Sequence, residues 1–350
     1  MMSSEIDRLF AKWDTDHTPG CALGIVDHGE SVRTSYYGLR DLESRIPIDG
    51  HTAFDIGSES KQFTGASIAL LVERGQLSLS TSVHDIIPGL PDYGYRISID
   101  HLVHHTSGIP DYYESMLDAG YMTGRCTMAN AVDFICQQPV LDFEPGEKFS
   151  YSNSGYVLLA RAVERITKTS FAQFVAENIF RPLGMTSSVV FDAPGAHVPN
   201  MARGHVWADA TGYVERHYGG HAVPGSGCLY STMQDLFRWV GVFRDPKIGG
   251  DGFLQTMLTP GLLNEGSQTN YGFGLDWGQC FEPQQDLHIV THAGAHAGSS
   301  SILLRVPDDD LSVILLCNTR DIDHCNLAVT VARLCLSESA PNKADTANGR

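Results

Sequence analysis

The chain has 350 residues, and its 24 basic against 41 acidic side chains give a net charge of −17, which argues against nucleic acid and anionic membrane surfaces as partners. Hydrophobic residues at 42% and charged residues at 19% describe an ordinary globular chain, long enough for one large domain or two modest ones. No apolar run approaches the length of a transmembrane helix, and Met1 to Trp13 is too polar for a secretory signal, so a cytoplasmic location is expected.

In chain order, Met1 to Trp13 predicts a short amphipathic helix with Ile6, Leu9 and Phe10 on one side. Cys21 to Val26 and Ser31 to Tyr37 predict two strands around the turn Asp27 to Glu30. From Ser58 the pattern turns helical, through Phe63, Ala66, Leu70 and Leu71, and Gly75 supplies a stop. Ile97 to Gly108 reads as a helix, Asp111 to Arg125 as irregular, and Met128 to Gln137, Gly155 to Thr167 and Ser170 to Phe180 as helices. Val189 to His221 reads as loops and Thr232 to Phe243 as a helix. Tyr271 to Trp277, Leu287 to Thr291, Ser300 to Val306 and Leu311 to Asn318 read as strands. Leu327 to Leu336 is a last helix, before a polar, flexible tail at 338–350. Strands at both ends and helices in the middle predict an α/β fold: a mostly antiparallel sheet flanked by helices, with an inserted helical subdomain. The expected division is 1–80 with 201–337 as the α/β part and 81–200 as the helical part.

The eight cysteines (Cys21, Cys126, Cys136, Cys228, Cys280, Cys317, Cys325, Cys335) contain no Cys-x-x-Cys, and buried thiols in a reducing compartment are expected. The histidine groups His101, His104 and His105, His217 and His221, and His292 and His296 lack a companion acidic motif such as His-Glu-x-x-His. No metal and no cofactor is expected.

Three short motifs carry chemistry. Ser58-x-x-Lys61 places an amine one helical turn behind a hydroxyl, and Lys61 is the one lysine in the chain with a serine three positions before it. Lysine activates serine when burial lowers its pKa. Tyr151-x-Asn153 supplies a phenol for proton relay and an amide for binding, or simply a turn before a helix. His292-x-Gly294 opens a run of small residues against which a substrate could lie with a backbone N–H exposed, or is simply a glycine-rich loop.

In this order the three motifs resemble those of the serine β-lactamase and penicillin-binding-protein superfamily. The flanks agree: Phe54-Asp55-Ile56-Gly57, His104-His105-Thr106-Ser107-Gly108-Ile109-Pro110-Asp111-Tyr112, Pro145-Gly146 through Tyr156, Arg181-Pro182-Leu183-Gly184-Met185-Thr186, and Gly227-Cys228-Leu229-Tyr230-Ser231-Thr232. The resemblance is to the class C-like branch of esterases, D-amino-acid peptidases, transacylases and β-lactamases, over roughly residues 5 to 335. It implies Ser58 as the acylated nucleophile, Lys61 and Tyr151 as shared general base, and Asn153, His292 and Gly294 in substrate binding. It also implies the N–H groups of Ser58 and Ala295 as oxyanion donors, and Tyr112 in a loop that touches substrate.

Two departures bear on substrate. His292 stands where many members have lysine, and Ala293 stands where a hydroxyl often helps bind a carboxylate. The expectation is a serine hydrolase that cleaves an ester or amide of a small molecule or short peptide. The alternatives are a transacylase using the same acyl-Ser58, a β-lactamase or D-Ala-D-Ala carboxypeptidase, and a silent binding protein of the same fold. An α/β-hydrolase is disfavoured because Gly-x-Ser-x-Gly is missing. Oligomeric state is open.

Overall fold

The computed structural model describes residues 2–118, 125–216, 220–278 and 287–339. Its centre is a five-stranded sheet of β1 (Cys21–Asp27), β2 (Glu30–Tyr37), β3 (Val290–His296), β4 (Ser299–Val306) and β5 (Leu311–Cys317). The order is β3-β4-β5-β1-β2, and every pairing is antiparallel. The two ends of the chain meet in the middle, where Cys21 lies opposite Cys317 and Asp27 opposite Leu311.

The run Leu311-Ser-Val-Ile-Leu-Leu-Cys317 is buried throughout because both faces of β5 are covered. Successive side chains point to opposite faces. Val313 and Leu315 pack with Ile6 and Phe10 of α1 (Met2–Phe10) and with Ala328 and Val331 of the last helix, His324–Ser339. Ile314 and Leu316 enter a larger core with Phe63 and Leu70 of α2 (Lys61–Glu73), Val157 and Leu158 of α3 (Asn153–Thr167), and Trp239 of α4 (Met233–Gly241). Helix α2 is buried continuously from Lys61 to Leu71, as expected of a helix surrounded by protein.

Several expected elements change. The helix expected over Ile97 to Gly108 is only Ile99–Val103, capped by Ser98. It ends because His105 adopts φ +56°, and the residues after it run as loop. Tyr112–Asp118 forms a helix in the segment expected to be irregular. Val189 to His221 is not all loop: it holds Val189–Val190 and the hairpin His205–Ala208 with Gly212–Glu215. Tyr271 to Trp277 makes only isolated bridges, Tyr271 to Asp276 and Asp276 to Thr291. Cys280, His217 and residues 340–350 of the expected tail lie outside the described residues; 338 and 339 belong to the last helix. Among the described residues no helix is long and apolar enough to cross a membrane.

Candidate active site

Ser58 sits on a single 3-10 turn, Gly57–Ser60, that leads into α2. The turn is fixed from both sides: Asp55 Oδ1 accepts the Gly57 N–H at 3.0 Å, and the Ser60 hydroxyl donates to the Gly57 carbonyl at 2.6 Å. Gly57 has φ +50°, and a Cβ there would lie 2.7 Å from Ala295 N. A Cβ on Gly294 would lie 1.9 Å from the Ile56 carbonyl oxygen. Both glycines are therefore required by the direct backbone contact between this turn and β3.

Strand β3 is the edge of the sheet, so one row of its N–H groups points away from β4. Thr291 belongs to that row, because it exchanges two 2.8 Å hydrogen bonds with Asp276 on the outer side. N–H direction alternates along an antiparallel strand, so Ala293 and Ala295 share it. The Ala295 N–H therefore faces the Gly57–Ser58 turn. The third motif is thus part of the edge strand and not a glycine-rich loop; the small side chains of Ala293 to Ala295 hid the strand.

Lys61 is fully buried, and its Nζ lies 3.0 Å from Ser58 Oγ, 2.8 Å from Asn153 Oδ1 and 2.7 Å from the Ser226 carbonyl. Burial lowers its pKa to about 7, against the opposing pull of Asp111. A neutral amine has two N–H donors and one lone pair. Asn153 Oδ1 and the Ser226 carbonyl only accept, so they take the two donors, and the lone pair is left facing the Ser58 hydroxyl. Asn153 opens α3, and its N–H is held by Asp111 Oδ2 at 2.5 Å, which satisfies a free donor of the helix N-terminus. Tyr151 is 40% exposed and lays its ring 4.8 Å from Lys61 Nζ. The ring is backed by the buried His105 at 4.4 Å, whose Nδ1 accepts the Ser152 N–H at 3.0 Å.

His292 is buried, with Nδ1 2.8 Å from the Ala293 carbonyl and Nε2 2.8 Å from the Tyr271 hydroxyl. A carbonyl only accepts, so Nδ1 carries the proton and Nε2 accepts from Tyr271. Burial and then the nearby Lys61 lower the His292 pKa to about 3, so the ring is neutral. Ala293 packs with the core on the opposite face of the sheet, so its side chain does not share the site with His292.

Tyr112 departs from expectation. It is 1% exposed and in the larger core, and the cleft at Ser58 is lined by Tyr113 instead. Helix geometry turns adjacent residues to different sides, which a loop reading of this segment could not resolve. The sequence reading also gave no role to Asp111, His105 or Tyr271. The first two stand in the His104-to-Tyr112 flank and were legible as part of it. Tyr271 lies in an irregular segment and carries no local signal.

The fold and this site define a class, and the chain belongs to the Beta-lactamase family, whose model matches residues 6–333. This is a family of serine hydrolases that work through an acyl-enzyme. Penicillin-binding protein 4* of Bacillus subtilis (strain 168) is 30% identical over 348 residues, covering 93% of this chain and 74% of that protein. Protein flp of Staphylococcus aureus (strain MW2) is 26% identical over 325 residues, covering 89% of this chain and 63% of that one. Among solved structures, the octameric penicillin-binding protein homologue from Pyrococcus abyssi superposes with TM-score 0.80 at 26% identity, over 96% of this chain and 77% of that one. The D-amino acid amidase from Ochrobactrum anthropi SV3 has the same fold, with TM-score 0.78 at 24% identity over 97% of this chain and 99% of that one.

Proposed function

We propose that this protein cleaves esters or amides of small molecules or short peptides through an acyl-enzyme on Ser58, and that its substrates lack a carboxylate at the reacting end. The observation that carries the reading is the position of the buried Lys61 Nζ, 3.0 Å from Ser58 Oγ and held by two acceptor-only neighbours, which leaves the lone pair of the neutral amine for the Ser58 hydroxyl. Neutral Lys61 takes the hydroxyl proton while Ser58 Oγ attacks the substrate carbonyl carbon. The oxyanion that forms is held by the N–H groups of Ser58 and Ala295. The proton then passes to the leaving group by way of Tyr151, and water repeats the sequence to release the acid. Asn153 and Gly294 complete the binding surface, with Asn153 turning its amide nitrogen to the substrate because its oxygen is held by Lys61.

Neutral His292 offers no cation to a carboxylate, which favours neutral esters and amides over β-lactams and D-Ala-D-Ala peptides. In this reading residues 1–80 and 201–337 supply the nucleophile and oxyanion sides of the cleft, and 81–200 supply Tyr151 and Asn153. The test is intact-mass spectrometry of wild type and Ser58→Ala with activated esters, amino-acid amides and β-lactams. A mass increment on wild type that Ser58→Ala lacks is expected; the same increment on Ser58→Ala at the wild-type rate overturns the assignment.

A further inference from the structure

Tyr151 is the proton relay of the proposed mechanism, yet no regular element fixes it. It lies in a stretch, 141–152, that runs without helix or strand to the start of α3, and its side chain is 40% exposed. A relay needs its hydroxyl in one place, so the loop must be held by something else.

His105 grips this loop on both sides of Tyr151. Its carbonyl accepts the Ser150 N–H at 2.8 Å, and its ring Nδ1 accepts the Ser152 N–H at 3.0 Å. The ring lies 4.4 Å from the Tyr151 ring, tilted by 31°. It also lies 5.0 Å from the Tyr156 ring. Tyr151 and Tyr156 are the two rings that face Lys61 Nζ, at 4.8 and 5.7 Å. Tyr156 is anchored, because it belongs to α3 and its hydroxyl donates to the Val103 carbonyl at 3.0 Å. His105 thus joins the exposed tyrosine to a wall that is already fixed.

This geometry is costly for a residue that only packs. His105 has φ +56°, a left-handed conformation that a Cβ disfavours. Accepting from Ser152 at Nδ1 places the ring proton on Nε2, and that atom is buried without a hydrogen-bond partner. An apolar ring would fill the same space and bury no unpaired N–H. What it could not do is accept from Ser152. Burial, and next Lys61 and His292, hold the His105 pKa well below 6.5. The ring is therefore neutral at neutral pH, and Nδ1 keeps the lone pair that the Ser152 N–H needs.

We propose that His105 is the positioning residue for Tyr151. It clamps the loop at 150 and 152 and supplies the surface on which the phenol stands, so that the hydroxyl is placed to pass the proton to the leaving group. His105 is only 1% exposed and acts through Tyr151 rather than on substrate. The inference rests on the relay role given to Tyr151 above.

The experiment measures kcat and KM for phenyl acetate and p-nitrophenyl acetate in wild type, His105→Phe, His105→Asn and Tyr151→Phe, and in each His105 variant combined with Tyr151→Phe. His105→Phe keeps a ring and removes the acceptor. Its kcat should fall about 10–100-fold, the effect of misplacing a catalytic group by an ångström or less, with KM little changed. The loss should be larger for phenyl acetate, whose leaving group has the greater need of a proton. His105→Asn presents Oδ1 in place of Nδ1 and tolerates positive φ, so it should recover part of the activity. Once Tyr151→Phe has removed the hydroxyl, neither His105 substitution should cost more. A loss that repeats in full on top of Tyr151→Phe, or that is equal for the two esters, overturns the clamp and leaves His105 a structural residue. If His105→Phe does not fold, His105→Asn with and without Tyr151→Phe carries the same test. Wild type offers a check that needs no variant: imidazole 15N NMR should show His105 protonated at Nε2 alone from pH 5 to 8, and a ring that gains a second proton in that range overturns the clamp. If Tyr151→Phe is as active as wild type, the relay role falls and the clamp falls with it, while the assignment of Ser58 is decided separately by its own mass increment.

Discussion

Lys61 and Glu59 are two buried ionisable neighbours of Ser58, and burial acts on them in opposite directions. Lys61 is brought to about 7, so in the proposed mechanism it serves as a base from neutral pH upward. For a neutral ester, kcat/KM should rise about tenfold per pH unit below 7 and level above it. A profile flat from pH 5 to 8 would rule Lys61 out as the base. Lys61→Ala and Tyr151→Phe should each reduce kcat/KM by about 10²–10⁴-fold. The double variant should lose far less than the product, because in the proposed mechanism both act on one proton path. Glu59 is also fully buried, and its carboxyl oxygens have no hydrogen-bond partner; the nearby Ser301 hydroxyl is committed to the Ile56 carbonyl at 2.8 Å. Burial raises its pKa from 4.5 to about 8. The folded chain must hold a proton that the unfolded chain releases above pH 4.5. Its contribution to stability is therefore whole below 4.5 and is lost as pH rises to 8. Glu59→Gln should thus gain thermal stability relative to wild type from pH 5 to 8, with the gap level above 8. A gap independent of pH would mean that Glu59 does not titrate in this range.

At the scale of elements, β3 does three tasks with seven residues: it closes the sheet, presents the Ala295 N–H, and carries His292. Gly294→Ala forces a methyl group against the Ile56 carbonyl, so turn and strand must separate. The expected result is a kcat loss of about 10²–10³-fold, the value of one oxyanion donor. The accompanying loss of stability should be about 1–3 kcal/mol. Thermal melts beside kinetics separate the two, and full kcat in this variant would remove β3 from the oxyanion site. His292→Lys should shift preference towards carboxylate-bearing β-lactams, measured as the ratio of kcat/KM for nitrocefin and an aryl ester; an unchanged ratio would show that His292 does not select substrate. The three motifs and their order were readable because each is local, and β1, β2, β4 and β5 were readable from their apolar runs. What stayed hidden depends on neighbours distant in the chain. Ala-Gly-Ala has weak strand propensity and becomes strand by pairing with Ser300 to Ile302. The Tyr271 partner of His292 and the Asp111 cap of α3 are set by packing alone. The argument from Ala293 also failed for this reason: alternation sends its side chain to the far face of the sheet, and His292 alone bears on carboxylate preference.

The whole molecule adds an electric field. At −17 the chain should attract cationic donors and repel anionic ones before any contact forms. Adding salt from about 10 to 150 mM, which shortens the Debye length from about 30 to 8 Å, should lower kcat/KM for a trimethylammonium-bearing ester and raise it for a carboxylate-bearing one. Equal responses would mean that the field does not reach the cleft. The pairing of β1 with β5 also orders the assembly of the site during synthesis. Strand β1 leaves the ribosome with β2 on one edge, and its other edge waits for β5, whose residues begin at Leu311. At about 5–20 residues per second, that wait is roughly 14–60 s. Ser58 and Lys61 emerge well before Ala295 and the edge strand that faces them. In the proposed mechanism the nascent chain therefore displays its serine throughout that wait without the strand that would stabilise an oxyanion, and the oxyanion side of the cleft forms only once β3, β4 and β5 have joined β1 and β2.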